Sequence, residues 1–306
     1  MGFRIVGIGE VLWDLLLTGP QLGGAPANFA YHAHALGAES HVITRVGSDD
    51  HGREILRRFR DMGLQHSAVQ IDERAPTGTA TVALSGNGLA QFTIQENVAW
   101  DHLVADEKAI TLASSADAIC FGSLAQRSES SRSAIQKLVA SSPAQALRVF
   151  DVNLRQRFYT REVIERSLQL ANVLKLNNDE LPTLAAMFNL TGSTENQMES
   201  LTRIFSLKVV ALTRGANGSL LYQDLEDTRW SDCASDPVEV VDTVGAGDSF
   251  TAALVLGLLS KMDLDEINAV ANAVARYVCS QAGATPELPS EFARRFLVSA
   301  KLRRTS

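Results

Sequence analysis

The chain has 306 residues, 45% of them hydrophobic and 21% charged, the ordinary balance of a soluble globular protein with a large core. Its formal net charge is −7, and no basic run precedes Lys301, Arg303 and Arg304, which read as a solvated tail; nucleic acid is excluded as the main partner. Cys120, Cys233 and Cys279 lack metal spacing, no signal peptide is visible, and Val11–Leu17 is too short and too interrupted to span a membrane, so we expect reduced thiols in a cytoplasmic protein.

Phe3 to Ile8 reads as a buried first strand, and Val11-Leu12-Trp13 continues extended until Asp14 breaks the apolar run. An acid there needs a reason, because burying it unpaired is costly. It serves a turn or local backbone contact, or its two oxygens accept from neighbouring hydroxyls of a ligand. Gly23-Gly24-Ala25-Pro26-Ala27-Asn28 follows, with Pro26 suited to the first turn of an alanine-rich helix through Leu36. The glycines permit close backbone approach to a ligand. Asn28 offers donors and an acceptor to a polyol, or satisfies backbone. Ser40 to Val46 reads as one strand, and Asp50 as the cap of a helix from Gly52 to Met62; a metal reading of Asp49-Asp50 lacks a third ligand nearby in sequence. Thr79–Leu84 and Ala90–Ile94, joined by Ser85-Gly86-Asn87-Gly88, read as a hairpin with an Asn-Gly turn.

Ala116 to Phe121 is a predicted strand, Ser133 to Ala140 a helix, and Arg148 to Val152 a strand running into Asp151-Val152-Asn153-Leu154-Arg155. Arg155 is a cation for a substrate or a phosphoryl group, or it pairs with Asp151. After the strand Val173–Leu176, Asn177 and Glu180 stand three apart on one side of a helical turn, which is also the spacing of a capping box. The strand Lys208–Leu212 leads through Thr213-Arg214-Gly215-Ala216-Asn217-Gly218 to a strand from Ser219 to Tyr222. The helix Glu266–Gln281 and the turn Ala282–Pro286 close the pattern. None of the six histidines stands at catalytic spacing from a Ser, a Cys or a second His.

The chain is organised around Asp242-Thr243-Val244-Gly245-Ala246-Gly247-Asp248-Ser249-Phe250, read as a short buried strand (Val238–Val241), a small-residue turn and an apolar helix to about Ser260. A helix N-terminus is an anion site, and the glycines let a phosphate come close. Asp248 either favours the helix start, as acids do, or takes a proton from an attacking hydroxyl while the N–H groups hold charge in transit.

This stretch resembles the C-terminal signature of the PfkB (ribokinase-like) family of sugar kinases. Gly23 to Asn28, followed by Ala30, Gly37 and Gly47, resembles the N-terminal signature, and the likeness extends over nearly the whole chain. It implies a three-layer α/β/α sandwich with a mainly parallel sheet and a small β lid from about residues 11–22 and 77–99 on a single domain, 1–306. Such lids exclude water that would compete with the acceptor, and often pair between subunits, so a homodimer is expected. The resemblance implies that Asp14, Gly24 and Asn28 hold a sugar, with Asn97 and Arg155 bordering it. Asp248 is implied as base, and the N–H groups of Gly245, Ala246 and Gly247 as the hold on transferred charge. Thr213, Gly215 and Gly218 would face ATP. Asn177 and Glu180 match the N-x-x-E motif that organises Mg²⁺ and phosphates, while Asp242 and the carbonyl of Val244 match a monovalent cation site, for instance for K⁺. The family commonly has Pro where this chain has Val152.

Glu96-Asn97-Val98-Ala99-Trp100-Asp101 resembles the fructokinase-like branch, so the expected reaction is ATP-dependent phosphorylation of fructose. The alternatives are a kinase for ribose or a sugar acid such as 2-keto-3-deoxygluconate, and a catalytically silent sugar- or nucleotide-binding relative. A dinucleotide-dependent oxidoreductase fails because Gly7-Ile8-Gly9-Glu10-Val11-Leu12 lacks the last glycine of the fingerprint. Neither nucleic acid nor membrane is an expected partner.

Overall fold

The computed structural model describes residues 2–16, 19–84, 90–224 and 228–302. The chain begins β1 (Arg4–Ile8), β2 (Leu12–Leu16), β3 (Gly19–Gly23), α1 (Ala25–Ala35), β4 (Glu39–Ile43), β5 (Arg45–Gly47), α2 (Asp50–Asp61) and β6 (Gln70–Asp72). It continues with β7 (Gly78–Leu84), β8 (Ala90–Ile94), α3 (Glu107–Ala113), β9 (Ala118–Phe121), α4 (Glu129–Ala140), β10 (Leu147–Asp151), α5 (Arg161–Leu170) and β11 (Val173–Asn177). Last come α6 (Glu180–Phe188), α7 (Thr194–Phe205), β12 (Val209–Thr213), β13 (Ser219–Gln223), β14 (Arg229–Cys233), α8 (Ala246–Leu259), α9 (Leu264–Cys279) and α10 (Ser290–Leu302).

The large sheet runs β14-β13-β12-β11-β10-β9-β1-β4, parallel except for the β12-β13-β14 edge. Its strands are apolar on both faces, as a sheet covered twice requires. Val149, Val173 and Val209 pack with Phe250 and Leu254 of α8 and Val270 of α9. Their neighbours Phe150, Leu174 and Val210 pack the other way, with Leu138 of α4, Ile164 of α5 and Leu201 of α7. The expected three layers are therefore present. α8 is buried almost all round from Ser249 to Gly257, which explains why its sequence shows so little polar face.

A second sheet, β3-β2-β7-β8, is the expected β lid, built from the two separate segments. Val11 and Trp13 of this region pack with Ala30, Ile55 and Phe59 in a small core of their own. The Asn-Gly turn at 85–88 lies outside the described residues, as do Arg303 and Arg304.

Four local expectations are corrected. Val238–Val241 is irregular and exposed rather than a buried strand, with Val240 59% and Val241 60% accessible. Among the described residues no strand pairs with it; instead the Val241 and Asp242 N–H groups donate to Cys279 O at the end of α9. Ser40–Val46 is two strands, because after Thr44 the chain leaves the large sheet and pairs with β6. The cap of α2 is Asp49, not Asp50. Its Oδ1 accepts from Gly52 N at 2.8 Å and from Thr77 Oγ1 at 2.6 Å, and its Oδ2 from Thr77 N at 2.8 Å, tying the helix to the start of β7. The helix placed at Ser133 begins earlier, at Glu129. Of the three free cysteines only Cys120 is buried. No helix among the described residues is long and apolar enough to cross a membrane.

Candidate active site

The parallel strands β1, β10, β11 and β12 end along one edge of the sheet, where open α/β sheets place their ligands. Asp248 sits above this edge in the first turn of α8, whose N-cap, Gly245, has left-handed φ of 80°. Helix geometry leaves the N–H groups of Gly247 and Asp248 without intrahelical partners. The Ala246 N–H makes a long turn contact of 3.4 Å to Thr243 O. Donors and a carboxylate thus share one helical turn.

Asn28, in α1, is 220 residues away in sequence, and its Nδ2 donates to Asp248 Oδ2 at 2.8 Å. It is 4% exposed, and this bond orients the carboxylate. Burial, with the like charge of Asp151 adding to it, pushes the Asp248 pKa up to about 6, while Asn28, Lys175 and Arg155 oppose that rise. A base poised there is ionised at neutral pH yet still has appreciable proton affinity.

Asp14 lies in the lid strand β2, with burial raising its pKa and Arg155 pulling it down. Its carboxylate covers Gly23 so closely that a Cβ there would stand 2.3 Å from Asp14 Oδ2. Gly24, with φ of 114°, is packed on backbone: its Cβ would meet Glu10 O at 2.6 Å. This glycine therefore seats α1 on the β1–β2 connection. Arg155 is exposed, and does not bond Asp151. Its guanidinium contacts Leu154 O at 3.3 Å and stands within electrostatic reach of Glu10, Asp14 and Asp248. Asn97 is not brought to this group. It is exposed and lines a separate cavity of about 380 Å³ with Arg127 and Arg157.

Sequence reasoning missed Glu10 and Lys175. Glu10 is 2% exposed, burial raises its pKa, and its Oε2 has no hydrogen-bond partner. Lys175 is paired with Asp151 at 3.1 Å. Glu10 follows β1 by two residues and Lys175 is the middle residue of β11, so a charged residue in or beside an apolar strand was the available signal.

On the far side, Asn177 and Thr213 are register partners on β11 and β12. Asn177 Oδ1 accepts from Glu180 N at 3.0 Å, and Glu180 Oε2 accepts from Asn177 N at 2.9 Å, so the capping-box reading is realised. Glu180 also takes Leu154 N at 2.9 Å and is buried, with burial raising its pKa. Its carboxylate is thus already engaged, and it suits an indirect hold on a hydrated cation better than direct ligation. Gly215 has φ of 57° and open space before it, whereas a Cβ on Gly218 would stand 1.9 Å from Cys233 O, a packing constraint. Asp242 Oδ1 accepts from Val244 N at 3.0 Å and Oδ2 from Gly283 N at 3.1 Å. Each oxygen retains a lone pair, so the Asp242 carboxylate has acceptor capacity left over for a hard cation. Among the described residues no cluster of three or more His, Cys, Asp or Glu side chains could hold a metal.

A covered parallel sheet, a β lid over its edge, and a carboxylate inside a helix-terminal anion hole define a ribokinase-like small-molecule kinase. The family model described as pfkB family carbohydrate kinase matches residues 19–291. A fructokinase of Solanum tuberosum is 30% identical over 310 residues, covering 94% of this chain and 93% of its own. The crystal structure of an uncharacterised sugar kinase, PH1459 of Pyrococcus horikoshii, in complex with ATP superposes with a TM-score of 0.79 at 28% identity, over 95% of this chain and 99% of that one. A fructokinase of Xylella fastidiosa shares the fold, with a TM-score of 0.82 at 20% identity over 100% of both chains. The chain belongs to the pfkB family of carbohydrate kinases, and is a sugar kinase.

Proposed function

We propose that this kinase transfers the γ-phosphoryl group of ATP to a hydroxyl of fructose. The observation that carries the mechanism is the Asn28–Asp248 hydrogen bond of 2.8 Å, which joins the two signature segments at a single carboxylate. Asp14, on the lid, receives sugar hydroxyls, and Gly24 fixes the helix that borders them. Asp248 takes the proton of the attacking hydroxyl. The N–H groups of the 245–248 turn then hold the charge of the phosphoryl group in transit, with no reorganisation needed. Thr213 and Gly215 line the nucleotide side, and Asn177 and Glu180 organise the Mg²⁺ that arrives with ATP. A monovalent cation, K⁺ for instance, at Asp242 and Val244 would stiffen the turn before the anion hole. Closure of the lid excludes water, and we expect two subunits to meet through their lids in a cytoplasmic homodimer.

Fructose as the acceptor is supported by the fructokinase relatives at about 30% identity. A second reading, a sugar acid as acceptor, is favoured by Arg155, an exposed cation within electrostatic reach of Asp14 and Asp248 that, among the described residues, bonds a neighbouring carbonyl. The test is ADP release from MgATP against fructose, ribose, glucose, 2-keto-3-deoxygluconate and nucleosides. Fructose-dependent turnover is expected. Turnover with 2-keto-3-deoxygluconate alone would overturn the fructose assignment and leave the mechanism.

A further inference from the structure

Beneath the anion hole lies a buried ion pair with no part in the chemistry above. Asp151 and Lys175 are register partners on the neighbouring strands β10 and β11, so their side chains leave the sheet on the same face. They are 5% and 6% exposed, and Lys175 Nζ meets Asp151 Oδ1 at 3.1 Å. Burial works against the charge of Lys175, yet Asp151, Glu180 and Asp248 hold its pKa above the ordinary value.

Both members lie against the start of α8, Asp151 at Thr251 and Lys175 beside Gly247. Thr251 Oγ1 is 2.9 Å from Asp151 Oδ2 and 2.9 Å from Gly247 O. Lys175 Nζ stands 3.0 Å from where a Cβ on Gly247 would be, so only glycine leaves the ammonium this close to the backbone before Asp248. The pair is therefore packed against the turn that carries the carboxylate and the phosphoryl-binding N–H groups.

We propose that Lys175 and Asp151 form one positioning unit for Asp248, clamping the first turn of α8 and setting the charge beneath its carboxylate. The titratable and charged groups facing Asp248 are Glu10 beyond β1, Cys120 on β9, Asp151 on β10, Arg155 in the following loop and Lys175 on β11. Arg155 is exposed and screened by water, and burial holds the Cys120 thiol protonated. Lys175 and Asp151 are the two buried members held at fixed distance, and their effects on Asp248 have opposite sign. Lys175 favours its ionised form and Asp151 its protonated form. Neither is placed to touch the sugar.

This inference rests on reading Asp248 as the base, but its test does not need turnover. The carboxyl of Asp248 is titrated by ¹³C NMR in protein labelled at Asp Cγ, assigned by the signal lost in Asp248→Asn. Asp151→Asn should lower the midpoint and Lys175→Met should raise it, each by about one pH unit, as expected for charges a few ångströms away. The neutral double variant should fall between them, and hydrogen exchange at the Ser249 amide, which bonds Gly245 O, should be at least several-fold faster than in wild type. A purely structural pair would lower stability and leave both midpoints where they are. Breaking a buried pair is strongly destabilising, so either single variant is at risk of not folding. The double variant then decides: Ser249 exchange no faster than in wild type overturns the proposal. Full turnover by Asp248→Asn would instead remove the base reading, and leave the titration result intact.

Discussion

Gly245 lies directly on Ala284: a Cβ at Gly245 would stand 2.2 Å from the Ala284 carbonyl oxygen. That same oxygen is 2.9 Å from His32 Nε2 in α1, and Tyr31 OH reaches Pro286 O at 3.1 Å. The late turn 282–286 is thus a common anchor, holding the helix after the first signature and the turn of the second in one frame. Gly245→Ala should therefore cost more than the φ of 80° alone, which is worth about 1–3 kcal/mol, because the clash is with backbone. We expect a lower Tm together with lost turnover. An unaltered melting curve with full activity would show that the turn can yield.

Asp248→Asn tests the base directly. It should fold, keep its affinity for the nucleotide, and lose roughly 10²–10⁴-fold in turnover. In wild type, kcat/KM should fall as pH drops through about 6, where the carboxylate takes up its proton. A flat profile between pH 5 and 8 would contradict the assignment.

The architecture was largely legible in the sequence, because both-face apolar strands and an apolar helix after Gly247 have few other uses. The two signatures pointed to Asn28 and Asp248, and the wider likeness to Asp14, but not to the bond between Asn28 and Asp248. A 220-residue separation carries no spacing information. The Glu96–Asp101 stretch has a second, structural reason for its composition. Trp100 and Asp101 are buried, with Asp101 held by the Arg127 guanidinium at 2.8 Å, so part of its polar-aromatic mix serves packing. Val238–Val241 was misread because β-branched composition reports burial only where a neighbouring strand exists. Val152, where proline is common in the family, has a local reason: its N–H donates to Lys175 O at 3.1 Å, a bond proline could not make.

Asp14 makes a prediction about the lid. Asp14→Asn keeps the shape and one acceptor but removes the charge. If the carboxylate receives sugar hydroxyls, kcat/KM for the sugar should drop roughly tenfold to hundredfold, the range for losing charged hydrogen bonds. KM for ATP should barely move. Equal loss for both substrates would indicate that Asp14 supports the fold of β2 instead.

Two buried groups should leave opposite marks on stability against pH. Burial lowers the His32 pKa from 6.5 to about 4, so the unfolded chain takes up this proton first as pH falls. Its contribution is complete above pH 6.5 and is lost on the way down to about 4, on the order of 3 kcal/mol at 1.4 kcal/mol per unit. Asp248 runs the other way. Its folded pKa is raised from 3.8 to about 6, so the folded state holds the proton more tightly, and that stabilisation is lost as pH rises through 6. His32→Gln, which keeps a donor for Ala284 O, should flatten the acid fall in urea-unfolding stability between pH 6.5 and 4. Asp248→Asn should be more stable than wild type at pH 7.5, with the advantage shrinking toward pH 4. If the mutant advantage were the same at both pH values, it would have to come from packing and not from the buried charge.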